Sequence, residues 1–185
     1  MPNQVISDME KRMKKALEDL DADFGTLRTG RATPALLDKV MVDYYGAPTP
    51  LKGLATISAP DARQLLVAPF DKTSAGAIAN AIAKSDLGVG AVADGGNVRV
   101  SVPSLTTERR KEMVKMAGKK AEAHKIAVRN IRRDANDALK KMEKEGEMSK
   151  DDLARYEGEV QKITDRYIAD VDKSRAAKET DIMVV

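Results

Sequence analysis

The chain has no cysteine, no tryptophan and a single histidine, and only 3% of its residues are aromatic. Without cysteine there is no disulfide framework, thiol nucleophile or thiolate metal site. His124 falls on the apolar stripe of a helical pattern, where it reads as a partly buried packing residue. Base catalysis needs a positioned partner, and no second imidazole exists to activate a serine. No glycine loop ends in Lys-Ser/Thr, so nucleotide hydrolysis is not expected. Gly95-Gly96 reads as turn chemistry, and Asp151-Asp152 as a helix start responding to the macrodipole. An enzyme therefore has almost nothing to work with, and neither cofactor nor metal is expected. Long apolar runs are missing too. The longest aliphatic stretch, residues 65–68, is far too short to span a bilayer. The first fifteen residues alternate charged and apolar groups, unlike a signal peptide. A cytoplasmic monomer with no membrane contact is the expectation.

What is present is charge and helix-forming sequence. A third of the 185 residues are charged, yet the formal net charge is only +3. Residues 105–146 carry 13 Lys/Arg against 7 Asp/Glu, whereas 147–185 are net acidic. Residues 5–28 read as an amphipathic helix, with Ile6, Met9, Met13, Ala16, Leu20, Phe24 and Leu27 along one stripe. Ser7 or Asp8 is placed to cap its start, and Thr29-Gly30 to end it. A second helix spans 105–145, about 60 Å at ~1.5 Å per residue. Thr106 or Thr107 caps it, and its seam runs Val114, Ala117, Ala121, His124, Val128, Ile131, Ala135, Ala138, Met142. Gly146 breaks it. Ser149 then starts a third helix with a seam of Leu153, Tyr156, Val160, Ile163 and Tyr167. None of these stripes can be buried alone. That predicts a long antiparallel three-helix bundle from residues 1–29 and 105–185.

Residues 30–104 have a different texture, punctuated by Gly and Pro. Short β-type runs occupy 39–45, 55–59, 64–68 and 97–102, and Asp94-Gly95-Gly96 marks a tight turn before the last. One short helix is expected over about 74–86, facing inward through Ala75, Ile78, Ala81 and Ile82. In Tyr44-Tyr45-Gly46, alternation sends one ring inward and the other outward, a packing role rather than a stacking site. The whole is α+β, a small β/α/β domain inserted into a helical bundle. Two short connections join them. One holds Gly30, Ala32 and Thr33, and the other Pro103, Ser104 and Leu105. Side by side they are expected to form a two-stranded hinge.

One stretch of the second helix is not explained by folding. Val128, Ile131 and Ala135 share one face, while Arg129, Arg132, Arg133 and Asn136 fall on another. Lys125, Arg129, Arg132 and Asn136 line up along that face. Lys140, Lys141 and Lys144 have acids at helical spacing and read as a solvated surface. Arg129 and Arg133 can pair in part with Asp134 or Asp137, but Arg132 has Asn136 at i+4. A flat guanidinium fork suits phosphate oxygens, so the stripe reads as a phosphate-binding surface. With so few aromatics, backbone and RNA shape are the expected targets rather than bases. Arg28, Gly30 and Arg31 either cap the end of the first helix or extend the basic surface to the hinge. A helical adaptor that grips a protein is the rival class, and it predicts a shallow dependence of binding on salt.

The chain resembles the bacterial ribosome recycling factors over essentially its whole length. The resemblance is carried by Arg28-Thr29-Gly30-Arg31-Ala32-Thr33-Pro34, by Tyr44-Tyr45-Gly46 with Pro48 to Leu51, and by Ser85-Asp86-Leu87-Gly88. It is carried further by Thr107-Glu108-Arg109-Arg110-Lys111-Glu112 and above all by Val128-Arg129-Asn130-Ile131-Arg132-Arg133-Asp134-Ala135-Asn136. Gly53, Phe70 and Gly90-Ala91 depart from the family's usual residues, all in the small domain. The resemblance implies an L-shaped fold and binding to ribosomal RNA of the large subunit. It further implies subunit separation together with elongation factor G and GTP. The expected RNA-binding set is Arg132, Arg129 and Arg133, with Lys125, Arg28, Arg31, Arg109 and Arg110.

Overall fold

The computed structural model describes residues 1–183. In chain order it contains α1 (Pro2–Gly25), β1 (Met41–Tyr44), β2 (Ala47–Pro50), β3 (Ala55–Asp61), β4 (Gln64–Pro69), α2 (Ala75–Ala83), β5 (Gly90–Asp94), β6 (Asn97–Ser101), α3 (Thr107–Lys144) and α4 (Lys150–Met183). The chain falls into two compact units. One is Met1–Asp23 with Lys115–Lys178, and the other is Phe24–Val114 with the end of α4 from Glu179.

The first unit is the packed body of the three long helices. Arg12 meets Asp134 at 3.0 Å and Asp23 meets His124 at 3.7 Å, so α1 runs antiparallel to α3. Lys125 meets Asp172 and Lys140 meets Glu157, so α4 runs antiparallel to α3 as well. Met9, Met13, Val128, Ile131, Ala135, Leu139, Val160 and Tyr167 fill the core. Helix starts follow local chemistry. Thr106 Oγ1 accepts the Arg109 N–H at 3.1 Å, and Ser149 Oγ accepts the Asp152 N–H at 3.0 Å. The first helix departs from expectation. It begins at Pro2, since proline in a first turn gives up only an N–H the helix does not use. Ser7 and Asp8 therefore lie inside it, and it ends at Gly25. The α3 seam also drifts: Met113 is buried in place of Val114, and Leu139 in place of Ala138 and Met142. A helix with 3.6 residues per turn cannot hold a strict 3.5-residue repeat over this length without supercoiling.

In the second unit, β1 pairs with β2, and a four-stranded antiparallel sheet has the order β3-β4-β6-β5. Leu65, Val67, Val98 and Val100 point to one face, where they pack with Ile78 and Ile82 of α2 and with Leu36, Leu37 and Val42. Two of the six strands were not expected. β2 carries Pro48 and Pro50, but Leu51 N–H bonds Val40 O at 3.0 Å. By alternation the N–H positions lost to proline are those facing away from β1. β5 is Gly-Ala-Val-Ala-Asp, with weak strand preference. It forms because Gly95 and Gly96, at φ +58 and +85, turn it back onto β6. Tyr45 also has a left-handed φ of +51, and Gly46 follows at +82. Tyr45 thus lies in the turn and is exposed, while the half-buried Tyr44 donates its hydroxyl to Asp71.

Candidate nucleic-acid interface

The basic side chains of α3 in the first unit fall into two kinds. Lys125 Nζ lies 2.5 Å from Asp172 Oδ1 on α4, with its side chain only 15% exposed. An acid on a neighbouring helix thus competes with any phosphate for its charge. Arg129 Nη1 sits 3.5 Å from Glu122 Oε1, one heptad earlier on the same helix. Neither Asp134 nor Asp137 is its partner, and Asp134 is held by Arg12 of α1 instead.

Arg132 and Arg133 differ from these. Arg132 Nη1 donates to the neutral Oε1 of Gln161 at 3.4 Å, and Arg133 Nη1 to the neutral Oδ1 of Asn130 at 3.5 Å. Both contacts are at the long limit for a hydrogen bond. The Gln161 side chain is itself oriented by donation to Asp165 at 2.8 Å. Asn136 is half-buried, and its Oδ1 has no partner. Among the described residues, two adjacent guanidiniums therefore form no ion pair with a carboxylate. Arg133 is exposed and Arg132 partly covered.

The remaining basic residues belong to the second unit. Arg31 is exposed, and Thr29 Oγ1 accepts its backbone N–H at 3.3 Å. Arg109 pairs with Glu112 at 2.8 Å within the first turn of α3. Arg110 is half-buried, and its Nε is buried without a partner. Arg28 is placed differently from the expectation of an RNA contact. It is buried, donating Nη1 to Gly88 O at 3.4 Å and Nη2 to Pro103 O. Burial, and then the charge of Arg109, lower its pKa below the usual guanidinium value.

The two connections are also more tied down than a free hinge requires. Ala32 is buried in the small core and donates its N–H to Ala62 O at 2.7 Å. Thr33 precedes a one-turn helix, Pro34–Leu37. Leu105 is buried as well, while Gly30 is half-exposed and Pro103 and Ser104 are exposed.

His124 is partly buried, its Nδ1–H donating to Lys120 O at 2.8 Å and its Nε2 lying 3.7 Å from Asp23 Oδ2. Among the described residues no three His, Cys, Asp or Glu side chains cluster as a metal site, and no helix is long and apolar enough to cross a membrane. Sequence reasoning missed Gln161 and Asp172, which sort the stripe into free and neutralised cations. Both reach α3 only through tertiary packing. Glu122 was legible, since it sits seven residues before Arg129 on the same helix face.

The family profile described as "Ribosome recycling factor" matches residues 17–183. The ribosome-recycling factor of Halalkalibacterium halodurans is 53% identical over 185 residues, covering all of both chains. That of Thermosynechococcus vestitus is 52% identical over 180 residues, 97% of this chain and 99% of its own. Among solved structures, a solution structure of the ribosome recycling factor aligns with a TM-score of 0.75 at 38% identity, covering 100% of this chain and 98% of the other. A second describes the T. thermophilus ribosome recycling factor and E. coli elongation factor G bound to the E. coli post-termination complex. It aligns with a TM-score of 0.69 at 43% identity and full coverage of both chains. Helical bundle, small β domain, arginine motif and full-length similarity agree, and the chain belongs to the ribosome recycling factor family.

Proposed function

We propose that this protein binds the large ribosomal subunit of post-termination complexes through α3. With elongation factor G and GTP it then drives the subunits apart and frees the messenger. The observation that carries the RNA-binding half is the pair Arg132 and Arg133, whose hydrogen bonds go to neutral amides while Asp134 is engaged by Arg12. The half that concerns elongation factor G is supported by the relative described with that factor on the post-termination complex. The protein performs no chemistry. Residues 1–29 and 105–185 act as the ribosome-binding arm, and residues 30–104 as the arm that moves. The connections through Gly30 and Ser104 serve as the hinge, allowing rotation without unfolding either core.

Co-sedimentation with large subunits across a salt series tests this. Phosphate anchoring predicts a log–log slope of roughly −0.7 to −0.9 per phosphate contacted. Arg132→Ala is expected to weaken binding by about 1–3 kcal/mol, as for a charged hydrogen bond, and to flatten the slope by about one phosphate. Lys125→Met should leave the slope unchanged, because Asp172 already neutralises that charge. A shallow slope for the native protein, or full affinity in Arg132→Ala, would sink the assignment.

A further inference from the structure

Arg28 is the one charged residue less than a tenth exposed among the described residues, at 7%. Its guanidinium carries five N–H donors, of which two meet acceptors, the carbonyls of Gly88 and Pro103. Its Nε is buried without a partner. Both acceptors are neutral, and the charged neighbour that bears on it is another cation, Arg109. A buried ion held this way is a poor source of stability, since burying a charge is costly unless it is paired. Its value lies in what it connects. Arg28 follows α1 on the connection into the small domain. Pro103 follows β6 on the connection out, and Gly88 lies between α2 and β5. One side chain thus spans both connections and a loop of the small domain. Gly88 is suited to this approach. Its φ of +65 disfavours other residues, and a Cβ there would stand 3.3 Å from Arg28 Nη1.

We infer that Arg28 is a positioning residue for the splitting step, a brace between the two connections rather than a contact to RNA. The inference rests on reading those connections as the hinge. Hydrogen bonds to neutral carbonyls hold the joint at rest. Because they carry no ion pair and leave Nε idle, they give way when the small domain is pushed. The brace thereby fixes the starting position from which the small domain moves. It contributes nothing to the phosphate count of the bundle surface.

The chain has no native cysteine. Lys162→Cys on α4 and Ser58→Cys on β3, both exposed positions, therefore accept spin labels for distance measurement in the full-length protein. Arg28→Met in that background should broaden the label-to-label distance distribution. It should leave large-subunit affinity and its salt slope unchanged, and slow subunit splitting several-fold. Gly88→Ala, which crowds the guanidinium without removing it, should broaden the distribution in the same direction and covers the case in which Arg28→Met folds poorly. An unchanged distribution in both variants overturns the inference, as does a salt slope reduced by roughly 0.7–0.9, the signature of a lost phosphate contact. If the native protein itself shows no salt-dependent subunit binding, the RNA-binding reading fails instead, and the two failures are distinguishable.

Discussion

A guanidinium serves a phosphate best when no carboxylate on its own surface competes for it. Arg132 and Arg133 meet that condition through tertiary detail. Arg12 reaches across from α1 to occupy Asp134, and the hydrogen bonds of the two arginines go to amide oxygens. The spacing of Arg129, Arg132 and Arg133 was readable from the sequence, and so was the lack of an acid four residues past Arg132. The neutralisation of Lys125 was not, because Asp172 lies 47 residues away and meets it only through helix packing. Arg28 misleads for the same reason, since nothing local reveals that it turns inward. Asp71 shows a further residue-scale effect. It accepts the Thr73 hydroxyl at 2.6 Å and backbone N–H at 3.0 Å, and also the Tyr44 hydroxyl. Donation from Thr73, then from Tyr44, holds its carboxyl below the ordinary 3.8. A depressed folded-state pKa contributes stability above the unfolded value and loses it as pH falls through the folded one. The small domain should therefore weaken below about pH 3.8. Asp71→Asn should show a smaller drop in urea midpoint between pH 6 and pH 3 than the native protein. An equal drop in both would place the acid sensitivity elsewhere.

At the scale of elements, the long helices were legible because their apolar stripes repeat over many turns. β2 and β5 were not, because prolines and small residues hide a strand that its partner imposes. Two glycines inside the helices separate intrinsic preference from packing. Gly158 in α4 has open space where a Cβ would go. Gly158→Ala should raise stability by about 0.8–1 kcal/mol, the difference in helix preference. Gly118 in α3 faces the guanidinium of Arg175, with Nη2 3.0 Å from an added Cβ. Gly118→Ala gains the same preference but must move that group, so its net gain should be clearly smaller. Urea denaturation of both variants checks this, and an equal gain would mean that Arg175 yields without cost.

On the scale of the molecule, the chain has two cores, and the proposed function gives each its own task. One core is Met13, Val128, Leu139 and their neighbours, and the other is Leu65, Ile78, Ile82 and their neighbours. If RNA anchoring belongs to the helices and the stroke to the small domain, damage to one core should separate binding from splitting. Ile82 is fully buried in the small core. Ile82→Ala removes most of its side chain and should cost about 2–5 kcal/mol, depending on how far the cavity collapses. The effect should concentrate in the strands, where hydrogen exchange of β3, β4 and β6 amides accelerates while that of α3 and α4 is preserved. Large-subunit co-sedimentation should keep its affinity and salt slope, because Arg132 and Arg133 sit on an undisturbed helix. Splitting with elongation factor G should fall, because a softened arm transmits less force. Leu139→Ala, a comparable truncation in the helical core, should instead speed exchange in α3 and weaken subunit binding. Loss of binding in Ile82→Ala while the helices stay protected would show that the small domain holds part of the RNA contact, and the division of tasks would have to be redrawn.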